Sequence, residues 1–160
     1  MAIENVYWDA NVFHALFGRE DGRVDACERI EKAARQGEVI IYTSTATFVE
    51  CIWIKGKINR FSREHEEIIG KFFMHKFIRP INCDRQIAES ARSLIWRFPH
   101  LKPKDAIHVA SAIAQQVDVL HSYDNDDLVR LDRQIGNPPL RICHPERDER
   151  FFPPRQEKLL

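Results

Sequence analysis

A chain of 160 residues that is 44% hydrophobic and 30% charged has enough apolar side chains for one domain with a full core, which excludes wholesale disorder. No apolar run approaches the roughly 20 residues of a bilayer-spanning helix, and the start MAIENVYWDAN places an acid where a secretory leader carries basic residues, so a cytoplasmic protein with no membrane association is expected. The 24 basic and 24 acidic residues cancel, but residues 51–104 hold 12 Lys or Arg against 5 Asp or Glu, so a surface facing phosphates is not excluded by the zero net charge.

Residues 3–8 form a first strand candidate, with Asp9 at its exit and Asn11 two positions on. Residues 12–17 make a short helical turn that Gly18 breaks. Asp21 is placed to cap a second helix reaching about residue 36, and Gly37 ends it. Residues 39–42 give a second strand. Ser44 then caps a helix over 45–55 that carries Phe48, Val49, Ile52 and Trp53, with Glu50 an isolated acid among them. After a connection over 56–61, Ser62 caps an amphipathic helix to about residue 76, whose buried side is Ile68, Ile69, Phe72 and Phe73. Residues 77–81 read as a strand, and Pro80 assigns it to an edge or a strand end. Asp84 caps a helix to about residue 98, and Pro99 marks its break.

The stretch LKPKDAIHVASAIAQQVDVLHSYDNDD, residues 101–127, is one αβ unit. Pro103 suits a first helical turn, and Ile107, Ala110, Ile113 and Ala114 make an apolar stripe to about residue 116. Residues 117–123 are apolar and β-branched, as a buried strand requires. A short helix over 127–134 and a last strand over 140–143 follow. From residue 144 the chain is polar and Pro-rich, an irregular arm or frayed end, except that the adjacent Phe151 and Phe152 call for a docking surface. The division expected is a domain over 1–143 and a tail over 144–160. Short strands alternating with helices give an α/β fold around a mainly parallel sheet of four or five strands.

Four cysteines without a CxxC pair argue against zinc or a disulfide framework and for reduced, partly buried side chains. GxGxxG, GxxxxGK[ST] and GxSxG are absent from the sequence, which leaves nucleotide cradling and a serine nucleophile unsupported. What remains is acidic. Asp9 and Asp124 follow strands, Asp105 sits in the first turn of a helix, and Glu50 lies in the helix after the second strand. In a parallel sheet, strand exits and the following helix starts share one edge, so these residues converge despite their separation in sequence. Asp126 and Asp127 stand close enough to add an oxygen donor. Crowded carboxylates raise one another's pKa unless a cation neutralises them, and an all-oxygen set suits Mg²⁺ or Mn²⁺. Phosphodiester hydrolysis by metal-activated water is the matching chemistry. The competing reading makes each acid a helix cap or a surface residue.

The segments WDAN (8–11), STATFVE (44–50), KPKDAIHVASA (102–112) and SYDNDD (122–127) together resemble a PIN domain, most similar to the VapC-type toxin nucleases of bacterial toxin–antitoxin pairs. The resemblance covers about residues 3–135. It implies a Rossmann-like three-layer sandwich, Mg²⁺ or Mn²⁺, endoribonuclease activity, a protein antitoxin and a homodimer. It assigns the acidic quartet to Asp9, Glu50, Asp105 and Asp124, and an often-acidic additional position to Asp127, so that Asp9, Asp105, Asp124 and Asp127 are the expected metal ligands. Ala10 stands where the family usually has threonine, and Ser122 replaces the threonine of its T-x-D motif.

Around the quartet, Asn11 is expected to donate to a ligand carboxylate or water, Ser44 and Ser122 to serve as caps and rim hydroxyls, and His108 to support the acids from the same helix face as Asp105. Lys102 and Lys104 are candidates for contacts to the RNA backbone. Trp8 belongs to the core; Trp53 and Trp96 are expected to pack or to join a partner interface. The apolar side chains Phe48, Ile52, Trp53, Phe72, Phe73 and Phe77 are more than one small sheet obviously consumes, which together with the resemblance suggests a dimer and a groove for an antitoxin segment; the competing explanation is a well-filled core. A structure-specific DNA nuclease, a non-catalytic RNA-binding or scaffold module, and a phosphatase-like acidic pocket are the alternatives.

Overall fold

The computed structural model describes residues 2–52 and 62–155. Five strands, β1 (Glu4–Trp8), β2 (Val39–Ser44), β3 (Ile78–Ile81), β4 (Val119–His121) and β5 (Arg141–Cys143), form one sheet in the order β3-β2-β1-β4-β5, with every neighbouring pair parallel. The expected α/β three-layer architecture is present. Crossovers are supplied by α1 (Ala10–Phe17), α2 (Val24–Arg35), α3 (Thr45–Glu50), α4 (Arg63–Phe73), α5 (Arg85–Arg97) and α6 (Pro103–Gln115).

Strand alternation divides the core. Val6 and Trp8 of β1 face α1, α2 and α4, in a cluster with Phe13, Cys27, Ile30 and Phe72. Tyr7, between them, faces the opposite layer, with Leu94 of α5, Val109 of α6, Leu120 and Ile142. Trp8 is a core residue, as expected. Pro80 is tolerated because β3 is an edge strand. Of the four cysteines, Cys27, Cys51 and Cys143 are buried and Cys83 is exposed, all as free thiols. No described helix is long and apolar enough to cross a membrane.

Several expected boundaries move. Asp21 does not cap α2; the helix starts at Val24 behind Arg23 without a side-chain cap, and the preceding turn is instead tied by Arg23 to Glu20 at 3.1 Å. The helix expected over 45–55 ends at Glu50, because Cys51 turns out of helical geometry at φ −90 and ψ 62; Trp53 and Lys55 lie outside the described residues. The strand expected over 117–123 shrinks to three residues, since Gln116 closes α6 in the left-handed conformation and Val117 still bonds back to Ala112. The helix expected over 127–134 is only a 3-10 turn, Val129–Leu131, because Asp124 caps a turn with its carbonyl and side chain. Trp96 does not pack: it is 83% exposed on α5.

Over residues 144–155 the segment after β5 is tied to the body. A 3-10 turn, Pro145–Arg147, leads to Asp148, which is 0% exposed and accepts hydrogen bonds from His121 Nε2 (2.8 Å) and Arg150 Nη2 (2.8 Å). Arg150 continues to Glu4 at 2.8 Å and to the Asn5 carbonyl at 3.1 Å, which joins the arm to the start of β1. Phe151 lies edge-on to the His121 ring, and Phe152 rests under the Arg29 guanidinium.

Candidate active site

The strand order reverses at β1: the chain winds from β1 outward to β2 and β3, then returns to place β4 on the other side of β1. The crevice at the C-terminal ends of β1 and β4 is therefore the topological switch point, where open α/β sheets form their sites. Asp9 is at the β1 exit, Ser122 and Asp124 follow β4, and Asp105 is in the first turn of α6.

Ser122 is the hub between the two exits. Its Oγ donates to Asp9 Oδ2 at 2.6 Å and accepts from the Asp124 amide at 3.0 Å and from Asn11 Nδ2 at 3.4 Å. Asn11 Oδ1 accepts from the Tyr123 amide at 3.0 Å. The Asn11 amide group thus braces β4 against α1 and does not itself face a carboxylate. Asp9 also caps α1 through the Val12 amide, so the cap reading and the site reading hold for the same side chain.

Asp105, Asp124 and Asp127 come together: a carboxylate oxygen from each lies within 4.8 Å of the other two. Asp124 Oδ1 accepts from the Asp127 amide at 3.0 Å, which fixes the turn that brings these two acids to the same place. Asp105 is 5% exposed, and its buried Oδ2 has no hydrogen-bond partner among the described residues. Asp9 and Glu50 stand outside this tight trio. Asp9 nevertheless feels the Asp105 charge, and burial pushes its carboxyl up to about 7, against the opposing effects of His108, Ser122 and the Val12 amide. Burial likewise raises Asp105, with Asp124 adding to the shift and Lys104 and His108 opposing it.

Such a set fits a hard divalent cation. Its donors are all carboxylate oxygens, gathered within 4.8 Å of one another, the ligand type that Mg²⁺ and Mn²⁺ take. An orphaned buried carboxylate oxygen is costly without a positive partner. Asp105, Asp124 and Asp127 are the described residues that could hold such an ion, and Asp9 is close enough to feel the Asp105 charge.

Glu50 reaches the same edge from the end of α3. His108 Nε2 lies 2.8 Å from its Oε1, and Lys104 Nζ lies 3.8 Å from its Oε2. Burial raises the Glu50 carboxyl, but the His108 hydrogen bond and the neighbouring positive charges outweigh it, and the net shift is downward. Lys102 pairs with Asp127 Oδ2 at 3.3 Å, so both lysines engage the acids themselves. Ser44 caps α3 through the Ala46 amide and is fully buried, which removes it from the rim. Tyr7 was not among the expected site residues; its hydroxyl lies 2.7 Å from His108 Nδ1. Only its place on β1, facing α6, distinguishes it in the sequence from any other core aromatic.

The PIN domain profile matches residues 6–134, most of the chain. The chain belongs to the PIN domain family. Among solved structures, the Mycobacterium tuberculosis toxin VapC20, described as cleaving the sarcin-ricin loop, superposes with a TM-score of 0.58 at 17% identity, covering 76% of this chain and 91% of that one. The VapBC2 complex of Rickettsia felis, bound to a promoter DNA fragment, gives 0.58 at 14% identity over 86% and 98%. A toxin–antitoxin complex from Klebsiella pneumoniae gives 0.53 at 23% identity over 76% and 88%. These likenesses establish that this PIN domain shares the VapC fold. Among curated proteins, none matches the chain.

Proposed function

We propose that this PIN domain is an Mg²⁺- or Mn²⁺-dependent endoribonuclease and the toxin of a toxin–antitoxin pair. The observation that carries the reading is the buried Asp105 carboxylate: one of its oxygens lies within 4.8 Å of oxygens from Asp124 and Asp127, and its Oδ2 has no hydrogen-bond partner among the described residues. The bound ion supplies a lowered pKa for the attacking water and neutralises charge on the phosphate. Asp105, Asp124 and Asp127 hold it, Asp9 completes the set from β1, and Glu50 faces the same edge from α3. Attack at phosphorus breaks the P–O3′ bond and leaves a 5′-phosphate and a 3′-hydroxyl.

Lys102 and Lys104 pair with Asp127 and Glu50 in the absence of substrate; an RNA backbone entering the crevice offers both a second anion. The partner reading is supported by an open, mainly apolar cavity of about 650 Å³ lined by Phe48, Cys51, Ile52, Ile69, Phe73 and Met74 among others, with Glu66 at its wall. Its size and lining suit a helix or strand of a protein antitoxin. Val49 (75% exposed) and Met74 (83% exposed) extend the apolar surface, which favours a homodimer as well.

The test is cleavage of a panel of folded RNAs by the wild type and Asp105→Asn in Mg²⁺, Mn²⁺ and EDTA, with circular dichroism of both proteins. Cleavage that needs metal and Asp105 supports the reading. Cleavage that survives EDTA, or an Asp105→Asn protein as fast as wild type at saturating metal, overturns it.

A further inference from the structure

Glu50 is the acid least fixed by the backbone. It is the last residue of the short helix α3, and Cys51 leaves helical geometry immediately after it. Its side chain is oriented instead by a relay that starts in the core. The Tyr7 ring is 0% exposed on the α6-facing side of β1, and its hydroxyl lies 2.7 Å from Nδ1 of His108, itself 1% exposed. The other ring nitrogen, Nε2, lies 2.8 Å from Glu50 Oε1.

The donor directions follow from the chemistry of the two ends. An ionised carboxylate only accepts, so Nε2 carries the hydrogen that points to Glu50. In a neutral imidazole that leaves a lone pair on Nδ1, which the phenol hydroxyl satisfies by donating. A phenol is protonated at neutral pH, so the Tyr7 hydroxyl is available to donate. The two rings meet edge to face, with centroids 5.7 Å apart, which limits rotation of the imidazole.

We propose that Tyr7 is a positioning residue of the candidate active site: through His108 it fixes one oxygen of Glu50 and leaves the other, Oε2, directed to Lys104 and the crevice. The inference rests on the nuclease reading for its consequence, but not for the relay itself. The parts come from three elements, β1, α6 and α3, so the sheet interior sets the aim of an acid whose own helix does not. Without the phenol hydroxyl the carboxylate still holds the hydrogen on Nε2, but Nδ1 loses its donor and the ring loses the hydrogen bond that fixes its plane. The Nε2–H is then aimed at Glu50 less firmly, and the carboxylate gains freedom.

Two measurements test this. The first is long-range ¹H–¹⁵N NMR of the histidine rings in the metal-free protein without RNA, with the His108 signals assigned by their loss in His108→Gln. Wild type is expected to show hydrogen on Nε2 alone, with the Nδ1 lone pair hydrogen-bonded to the phenol, and Tyr7→Phe the same tautomer with its Nδ1 resonance shifted by the loss of that bond. Hydrogen on Nδ1 in wild type, or an Nδ1 resonance unmoved in Tyr7→Phe, overturns the relay. The second is a kinetic cycle of Tyr7→Phe, His108→Gln and the double variant on a cleaved RNA. Tyr7→Phe is expected to lower kcat about 10- to 100-fold with KM little changed. Glutamine offers Glu50 an N–H that depends on no tautomer, so His108→Gln should lose less, and Tyr7→Phe should add no loss to it. Losses that multiply, or that fall on KM alone, overturn the proposal. Because the NMR measurement needs neither metal nor RNA, a chain that cuts no RNA would contradict the nuclease reading while the relay is judged separately.

Discussion

Replacing Asp148 with asparagine tests whether the arm after β5 is part of the fold. The carboxylate is completely buried and receives hydrogen bonds from His121 Nε2 at 2.8 Å and from Arg150 Nη2 and Nε at 2.8 and 3.0 Å. Trp8 Nε1 donates to His121 Nδ1 at 3.1 Å, and an indole N–H only donates, so His121 is neutral with its hydrogen on Nε2. Asparagine turns one of the two acceptor oxygens into a donor, facing either His121 N–H or the guanidinium. Breaking a buried charged pair costs about 3–5 kcal/mol. Arg150 keeps Glu4 and is partly exposed, which points to the lower end of that range. A loss of about 3 kcal/mol corresponds to a Tm lower by about 6–12 °C for a chain of this size.

The pH dependence is specific. Burial raises the Asp148 carboxyl, but His121 and Arg150 outweigh it and hold it well below the usual carboxylate range. A depressed acid contributes stability that is fully present above its unfolded pKa, about 3.9, and lost as pH falls through the folded value. The gap between wild type and Asp148→Asn should therefore persist from pH 7 to about 4 and shrink below it. Urea unfolding at a series of pH values measures this gap. A difference under about 1 kcal/mol at pH 7, well below the few kcal/mol a buried pair carries, would refute Asp148 as the anchor of the arm.

Asp9→Asn should act in the opposite sense on the metal-free protein. Burial raises Asp9 to about 7, so the folded wild type loses stability as pH rises from about 4 to 7; the variant should be more stable than wild type at pH 8, by at most about 4 kcal/mol, with the advantage gone by pH 4, and equal melting curves at pH 8 would count against a buried charged Asp9. Ser122→Ala removes the 2.6 Å donor to Asp9 and the acceptor for the Asp124 amide, and calorimetric Mn²⁺ titration should show affinity about 10- to 100-fold weaker; an unchanged isotherm would remove Ser122 from the site. Sedimentation velocity at micromolar concentration should give a species near twice 18.8 kDa, and a clean 18.8 kDa species contradicts the dimer.

The sheet and the switch-point edge were legible because periodicity and turn residues act locally: Asp84, Ser62 and Ser44 cap the helices they precede, and Pro80 lies on an edge strand. The meeting of Asp105 with Asp124 follows from parallel topology alone, since a helix start and a strand exit share one edge. Long-range polar contacts were not legible. Nothing in a tyrosine preceding Trp8 announces a hydroxyl aimed at His108 from 101 positions away, nor does a polar arm announce that Asp148 is fully buried beneath His121. The lysines before α6 illustrate the same limit. Their charge and position suggest phosphate contacts, but only three-dimensional packing reveals that Asp127 and Glu50 already occupy them.

The central claim, that Asp105, Asp124 and Asp127 form a divalent-ion site, is tested most directly by Mn²⁺ binding, because it requires no knowledge of the RNA target. Electron paramagnetic resonance of free Mn²⁺ titrated with protein should show saturable depletion of the signal by wild type and little or none by Asp105→Asn, with both proteins folded by circular dichroism. Equal depletion by the two proteins, or none by wild type at millimolar ion, would contradict the account.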